Sequence, residues 1–293
     1  MKYRILGKFS KKISEIGLGT EYLARQSAET IIQTVHAAFE AGINYFDVLF
    51  AFPPYLQALG QAIESKRERV NLAIHIGAGI VNGKHRKIRS PNAARKAFNE
   101  VLTELNIDYV DVAIIQNMYA KEYDKIMKTT GLITFAEELK ETQQAKYLGI
   151  SIHEPEIAQK AIITGKFDVL MSQFNLFAEE MPERRALVQQ CHDSQTAFVA
   201  IKPYAGGHLL KTGRKVRVPS YKSGGKVKEV KLPKIESMTA RCLSYILAQK
   251  GVTTVIPGVK NTEELHQTLT YYTTSPQQKD YRFLLEHIQD KKN

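Results

Sequence analysis

Short runs rich in Ile and Val alternate with helix-periodic segments from one end of this chain to the other, and few folds accommodate that rhythm. Eight runs have the length and β-branched content of buried strands: 15–19, 44–47, 70–76, 109–116, 147–151, 169–173, 198–202 and 254–257. Helical patterns lie between them, among others at 27–41, 90–105, 135–141, 154–163, 182–191 and 238–249. The segment 90–105 opens with Ser90-Pro91, a capping residue followed by a proline whose missing N–H does no harm in a first turn. Strict alternation implies parallel strands joined by right-handed crossovers. Eight such units in 293 residues predict an α/β fold of the closed (β/α)8 TIM barrel type. An open doubly wound sheet would carry G-x-G-x-x-G after its first strand, and that motif is absent. The stretch YRILGKFSKKI at 3–13 predicts an N-terminal β-hairpin that plugs the barrel's bottom. No linker divides the chain, so 1–293 reads as a single domain.

Composition trims the alternatives. With 43% apolar and 24% charged residues, the chain is neither collagen-like nor wholly disordered. It has no run of eighteen apolar residues, and its basic start lacks the apolar stretch of a signal peptide. Cys191 and Cys242 are too few for a disulfide framework or a four-cysteine metal site, and they read as core residues on helices. No set of His, Cys and carboxylates has metal-site spacing, so no metal is expected. A reduced, cytoplasmic protein with no membrane partner is the expectation.

The net charge of +11 raises nucleic-acid binding as a possibility. However, +8 of it lies in the segment 208–235, where nine Lys and Arg face one acid, Glu229. That segment reads as a long basic lid loop, with Ser223-Gly224-Gly225 near its middle. Tyr221 is its sole aromatic, so it lacks the stacking residues of a single-strand binder, and no nucleic-acid partner is expected. A solvated loop is the plain reading. Attraction of a nucleotide cofactor or an anionic small-molecule substrate is the functional one.

In such a barrel, chemistry sits where strands end and loops begin. The residues that fall there are Asp47, His75, Gln116, Asn117, Ser151, His153, Gln173, Asn175 and Lys202. Asp47 can be a loop-capping carboxylate or a working one. A histidine near a carboxylate, as His75 would be, can move a proton around neutral pH. Gln116 does not titrate and lines a pocket.

Around these positions the chain resembles the aldo-keto reductases over nearly its whole length. The pieces, in order, are IGLGT at 16–20, AGINYFD at 41–47, LG at 59–60, DYVDVAIIQ at 108–116, YLGISIH at 147–153, SQFN at 172–175, KPYAGG at 202–207 and VIPGVKNTEEL at 255–265. The KPYAGG and PGVKN segments are most similar to a bacterial branch that often carries a C-terminal iron–sulfur segment. This chain ends without those cysteines, so no cluster is expected.

The resemblance implies a nicotinamide cofactor that delivers hydride to a carbonyl. It also implies a tyrosine acid tuned by a lysine paired to an aspartate, with a histidine that orients the carbonyl. Asp47 matches the aspartate. Phe52 stands at the tyrosine position, His75 at the lysine position and Gln116 at the histidine position. Tyr55, in the Pro53-Pro54-Tyr55 turn, is three residues too late to replace the acid. Ser151 and Gln173 match the carboxamide-binding positions, although Ile152 replaces the usual asparagine. Lys202 opens the loop in which Gly206 and Gly207 would let the backbone approach the pyrophosphate. Lys260 and Asn261 match the grip on an adenosine 2′-phosphate, which favours NADP(H).

Three functions follow for this aldo-keto reductase-like chain. One is an NADP(H)-linked oxidoreductase acting on a polar or anionic small molecule through Asp47 and His75. The second is a non-redox elimination or isomerisation on the same pair, and the third is an inactive cofactor-binding pseudoenzyme.

Overall fold

A computed structural model describes residues 1–218 and 228–289. The chain opens with an antiparallel hairpin of β1 (Tyr3–Ile5) and β2 (Lys12–Ser14). Strands β3 (Leu18–Gly19), β4 (Tyr45–Val48) and β5 (Asn71–Ile76) begin the barrel. A second hairpin, β6 (Ala78–Val81) and β7 (Lys84–Lys87), interrupts it. The barrel continues with β8 (Val110–Met118), β9 (Ala145–Ile152), β10 (Val169–Gln173) and β11 (Ala197–Ile201). A third hairpin follows, β12 (Lys215–Val218) with β13 (Lys228–Lys231), before the last barrel strand β14 (Val252–Ile256). The barrel strands are ordered β3-β4-β5-β8-β9-β10-β11-β14, every pairing is parallel, and bridges Ile16 to Val255 and Gly19 to Gly258 join the two edges. The expected eight-unit barrel is therefore present, with strand ends within a few residues of the sequence-based positions.

Helices cover the outside: α1 (Ala28–Glu40), α2 (Pro53–Ile63), α3 (Pro91–Leu105), α4 (Tyr123–Met127), α5 (Leu132–Glu141), α6 (Pro155–Ile163), α7 (Pro182–Asp193), α8 (Met238–Leu247), α9 (Thr262–Leu269) and α10 (Arg282–Gln289). Most bury a helix-periodic stripe, whereas α4 buries Ile126 alone and α8 is buried nearly all round. In α1 the stripe is Ile31, Val35 and Ala38, and Ser27 Oγ caps the helix by accepting from the Thr30 N–H at 3.2 Å. The Leu59-Gly60 pair has a packing reason: a Cβ at Gly60 would collide with the Leu105 carbonyl, so α2 approaches the end of α3 only with glycine there.

Period-two alternation along the strands separates two layers of core. Phe46, Leu72, Ile74, Ala113 and Ile115 point outward to the helices. Tyr45, Ala73, Val112, Ile114, Val169, Met171 and Val199 fill the barrel interior, where Leu6 and Ile13 of the N-terminal hairpin join them as the expected plug. Cys191 and Cys242 are free thiols in the core.

One expectation needs correction. In its described part the basic segment is not a loop but the β12–β13 hairpin, which turns Val216 and Val230 inward. Tyr221, Lys222, Ser223, Gly224, Gly225 and Lys226 lie outside the described residues. Among the described residues no helix is long and apolar enough to cross a membrane, and no group of His, Cys, Asp and Glu is arranged to hold a metal.

Candidate functional site

The same alternation that buries Tyr45, Ala73, Val112, Ile114 and Met171 brings Asp47, His75, Gln116, Ser151 and Gln173 to the interior one or two residue pairs further along their strands. All five are buried at the C-terminal end of the barrel. His75 Nε2 lies 3.0 Å from Asp47 Oδ1, with only 3% and 12% of the two side chains exposed. The other ring nitrogen of His75, Nδ1, is buried with no hydrogen-bond partner among the described residues. Asp47 is thus no lone carboxylate. It fixes one nitrogen of an imidazole and leaves the second one free.

Phe52 sits just ahead of α2, half-buried, with its ring 5.5 Å from that of Phe50. Tyr55 does not rescue the missing phenol. It lies in the first turn of α2 rather than in a turn, is 2% exposed and hydrogen-bonds Thr20 Oγ1. Thr20 in turn donates to the Asp47 backbone carbonyl at 2.6 Å. Burial raises the Tyr55 phenol far above its ordinary value, so it holds its proton and is a poor acid near neutrality.

Gln116 reaches a partner that sequence reasoning missed. Its Nε2 is 3.0 Å and its Oε1 3.3 Å from Nε2 of His85, on β7. His85 also stands edge-on to Phe50 at 5.0 Å. Burial is the main cause that lowers its pKa; the Gln116 hydrogen bond opposes it. The local sequence KHRK looks like a solvated surface strand, and nothing in it signals a site. Glu21 was missed as well. Burial of its carboxyl end is the largest cause raising its pKa. Lys202 works against the rise and Asp47 adds to it, which places Glu21 in the electrostatic field of the barrel mouth. His153, read as loop or ligand, is held neutral. Burial and then Lys202 and Arg184 push its pKa down to about 3.

Buried polar atoms in folded proteins are nearly always paired. Among the described residues, one group of unpaired atoms lies at this end of the barrel, Nδ1 of His75, His85 and His153, Asn117 Oδ1, and both amide atoms of Gln173, while others such as Asn71 Oδ1 and Arg67 Nε lie elsewhere. Two residues of the same face have a left-handed backbone, Asn117 (φ +38°) near the end of β8 and Lys202 (φ +55°) just beyond β11.

The proposed cofactor residues divide into groups. Gln173, 1% exposed with an unsatisfied amide, lacks the donor and acceptor that a carboxamide carries. Ser151 lies on the neighbouring strand, with Met171 of the Gln173 strand beside it in register. Gly206 and Gly207 have φ of +66° and +83°, open space where a Cβ would stand, and so a backbone free for close approach. Lys202 is exposed at the mouth. Lys260 and Asn261 are far from the dyad in sequence and otherwise engaged: Asn261 Oδ1 caps α9 by accepting from the Glu264 N–H at 2.9 Å, and Lys260 Nζ is 3.5 Å from Glu264. Both stay available to a phosphate, since the Asn261 amide NH2 is unused by the cap and Lys260 is exposed.

Comparison with known proteins agrees with this fold. Residues 15–288 match the family described as Aldo/keto reductase family. Among curated proteins, the chain is 29% identical over 286 residues to an uncharacterized oxidoreductase of Bacillus subtilis (strain 168), YqkF, covering 92% of this chain and 90% of that one. It is 24% identical over 299 residues to the L-galactose dehydrogenase of Arabidopsis thaliana, with 93% and 88% covered. Among solved structures, an aldo-keto reductase from Bacillus halodurans in its holo form superimposes with a TM-score of 0.79 at 23% identity, covering 99% of this chain and 96% of that one.

Proposed function

Because this chain belongs to the aldo/keto reductase family, we propose that it is an NADP(H)-linked oxidoreductase whose proton chemistry runs through the Asp47–His75 pair instead of a phenol. The observation that carries this reading is the dyad itself: one imidazole nitrogen 3.0 Å from a carboxylate, the other buried without a partner among the described residues. A bound nicotinamide would supply the hydride. His75 would hold a proton at Nδ1 for the oxygen that receives negative charge, and Asp47 would stabilise the imidazolium form that gives it up. Ser151 and Gln173 would hold the carboxamide, and Gly206 and Gly207 the pyrophosphate. Lys260 and Asn261 would hold the 2′-phosphate at the start of α9.

The substrate is a polar small molecule, because Glu21, Lys202 and His153 share the mouth. The curated relative named L-galactose dehydrogenase acts, by that name, on a sugar. The same dyad would also serve an isomerisation or elimination, a reading favoured by the absent phenol, and the two differ in whether turnover consumes NADPH.

The test is a fluorescence titration of NADPH, followed by NADPH oxidation across a panel of sugars and small aldehydes. We expect saturable binding tighter than about 1 mM, worth roughly 4 kcal/mol. We also expect a weaker complex for Lys260→Ala and loss of turnover in His75→Ala with binding kept. Absence of saturable NADPH binding would overturn the reading. Substrate conversion without NADPH consumption would assign the dyad to proton transfer alone.

A further inference from the structure

We propose that His85 orients the substrate carbonyl in this site, and that Gln116 acts as its holder. The inference rests on the redox reading above and goes beyond it, because His85 belongs to no barrel strand. It comes from the β6–β7 hairpin, inserted between β5 and α3.

Three observations carry it. First is position: the imidazole stands at the tip of the Gln116 side chain, so it extends the inward end of β8. Second is hydrogen-bonding capacity. We assign the shorter contact, 3.0 Å against 3.3 Å for the amide oxygen, as the hydrogen bond, in which the Gln116 amide nitrogen donates to the Nε2 lone pair. The proton of the neutral ring is then on Nδ1. That nitrogen is buried and has no partner among the described residues, as is also true of His75 Nδ1, Asn117 Oδ1 and the Gln173 amide, and His75 is close enough to act on the His85 ring electrostatically. Its pKa is lowered chiefly by burial, so the ring stays a neutral donor that can hold a carbonyl oxygen without competing for the proton on His75.

Third is rigidity. Lys87, two residues on, donates to the Asn117 carbonyl at 2.7 Å and to Glu122 at 2.9 Å. Arg89 donates to the Gln116 carbonyl at 2.9 Å, to the Gly77 carbonyl at 3.2 Å and to Glu122 at 3.0 Å. Phe50 fixes the ring from the side. A hairpin whose base is tied through Lys87 and Arg89 to the end of β8 and to Glu122 in the loop that follows presents its histidine in one place. That precision is what an orienting group requires.

The experiment uses the intact protein with NADPH and 4-nitrobenzaldehyde. For His85→Ala we expect the NADPH dissociation constant to stay within about twofold. We expect kcat/KM to fall about a hundred- to a thousandfold, the range for loss of one positioned donor. Gln116→Ala should lose a similar factor, and the double variant no more than either single one, since the two residues act as a unit. His85→Gln, which keeps a donor, should recover part of the loss. Unchanged kcat/KM in His85→Ala, or losses that multiply in the double variant, overturn the proposal.

Should wild-type turnover be too slow to follow, the complex with NADP+ and the aldehyde is read by the NMR resonances of the His85 ring. A shift that disappears in Gln116→Ala supports the proposal. Shifts at His75 alone, or none at either ring, refute it while leaving cofactor binding intact. Failure to bind NADPH at all removes the redox reading and the proposal together.

Discussion

Phe52 lacks the one oxygen on which phenol-driven carbonyl reduction turns, and the nearest phenol, Tyr55, is spent on Thr20 inside the core. Losing a positioned general acid costs about 10²–10⁴-fold, roughly 3–5 kcal/mol of transition-state stabilisation. Wild-type reduction of generic aldehydes by NADPH is therefore expected to be slow by about that factor against phenol-bearing relatives. Phe52→Tyr alone restores little: the new phenol keeps a pKa near 10 unless a cation sits beside it, and position 75 offers an imidazole. Phe52→Tyr with His75→Lys restores more than the two single changes together, because the ammonium would sit against Asp47 and tune the phenol as one unit. Adding Gln116→His gains least, since His85 already places an imidazole at that spot. NADPH oxidation with 4-nitrobenzaldehyde, compared across these variants, decides it. Brisk wild-type turnover would show that the dyad already does the phenol's work.

The β6–β7 hairpin is the element that the sequence did not disclose. Barrel strands are legible because they bury both faces and read as largely apolar, β-branched runs, as VAII at 112–115 does in β8. Asp47, His75 and Gln116 are legible for the same reason, each being a polar residue that ends such a run. The hairpin strands are four residues long, and β7 is the charged KHRK with one half-buried residue, so neither periodicity nor apolar content marks them. The pairing of His85 with Gln116 spans 31 residues and no local pattern encodes it. What secures the hairpin is Glu122. Burial alone would raise its carboxyl, but hydrogen bonds from Arg89, Lys87 and the Tyr119 N–H outweigh that and hold it down at about 2. The folded-state pKa is thus below the ordinary 4.5, and the stabilisation is complete above about 4.5 and lost as pH falls towards 2. The carboxylate is partly solvated, so the contribution is about 1–2 kcal/mol after screening. Denaturant unfolding should find Glu122→Gln less stable than wild type by that amount at pH 7, with the gap closing near pH 2. A gap independent of pH would locate the effect in packing instead of charge.

The molecule as a whole separates stability from function between its two ends. At the N-terminal end, Asp111 and Asp168 repeat one device. Each is almost wholly buried at or just before the start of a strand and accepts the backbone N–H of a neighbouring strand, Leu72 and Leu148 respectively, at 3.0 Å. Asp111 is paired with Arg67, whose side chain is only 12% exposed, so Asp111→Ala strands a nearly buried cation and should cost about 3–5 kcal/mol. Asp168 is paired with Lys8 and Lys140, both able to return to water. Asp168→Ala should therefore cost only the orphaned N–H, about 1–3 kcal/mol. Equal losses would mean that the cations contribute nothing. At the other end, charge is held against stability. Lys215 stands directly opposite Lys231 across β12–β13, both exposed, and like charges so placed repel. Arg217 with Glu229, an opposed pair among the described residues, is solvated on both sides and offsets little. We propose that this hairpin, inside a segment holding +8 of the net +11, attracts an anionic cofactor. Neutralising both lysines, Lys215→Gln with Lys231→Gln, should leave thermal stability unchanged or slightly raised. NADPH affinity at low ionic strength should fall roughly two- to tenfold through a slower association rate. The difference should vanish at about 1 M salt, where charges are screened within a few ångströms. An equal loss at high salt would mean that these lysines touch the phosphates directly, and no loss at any salt would detach the basic hairpin from the cofactor altogether.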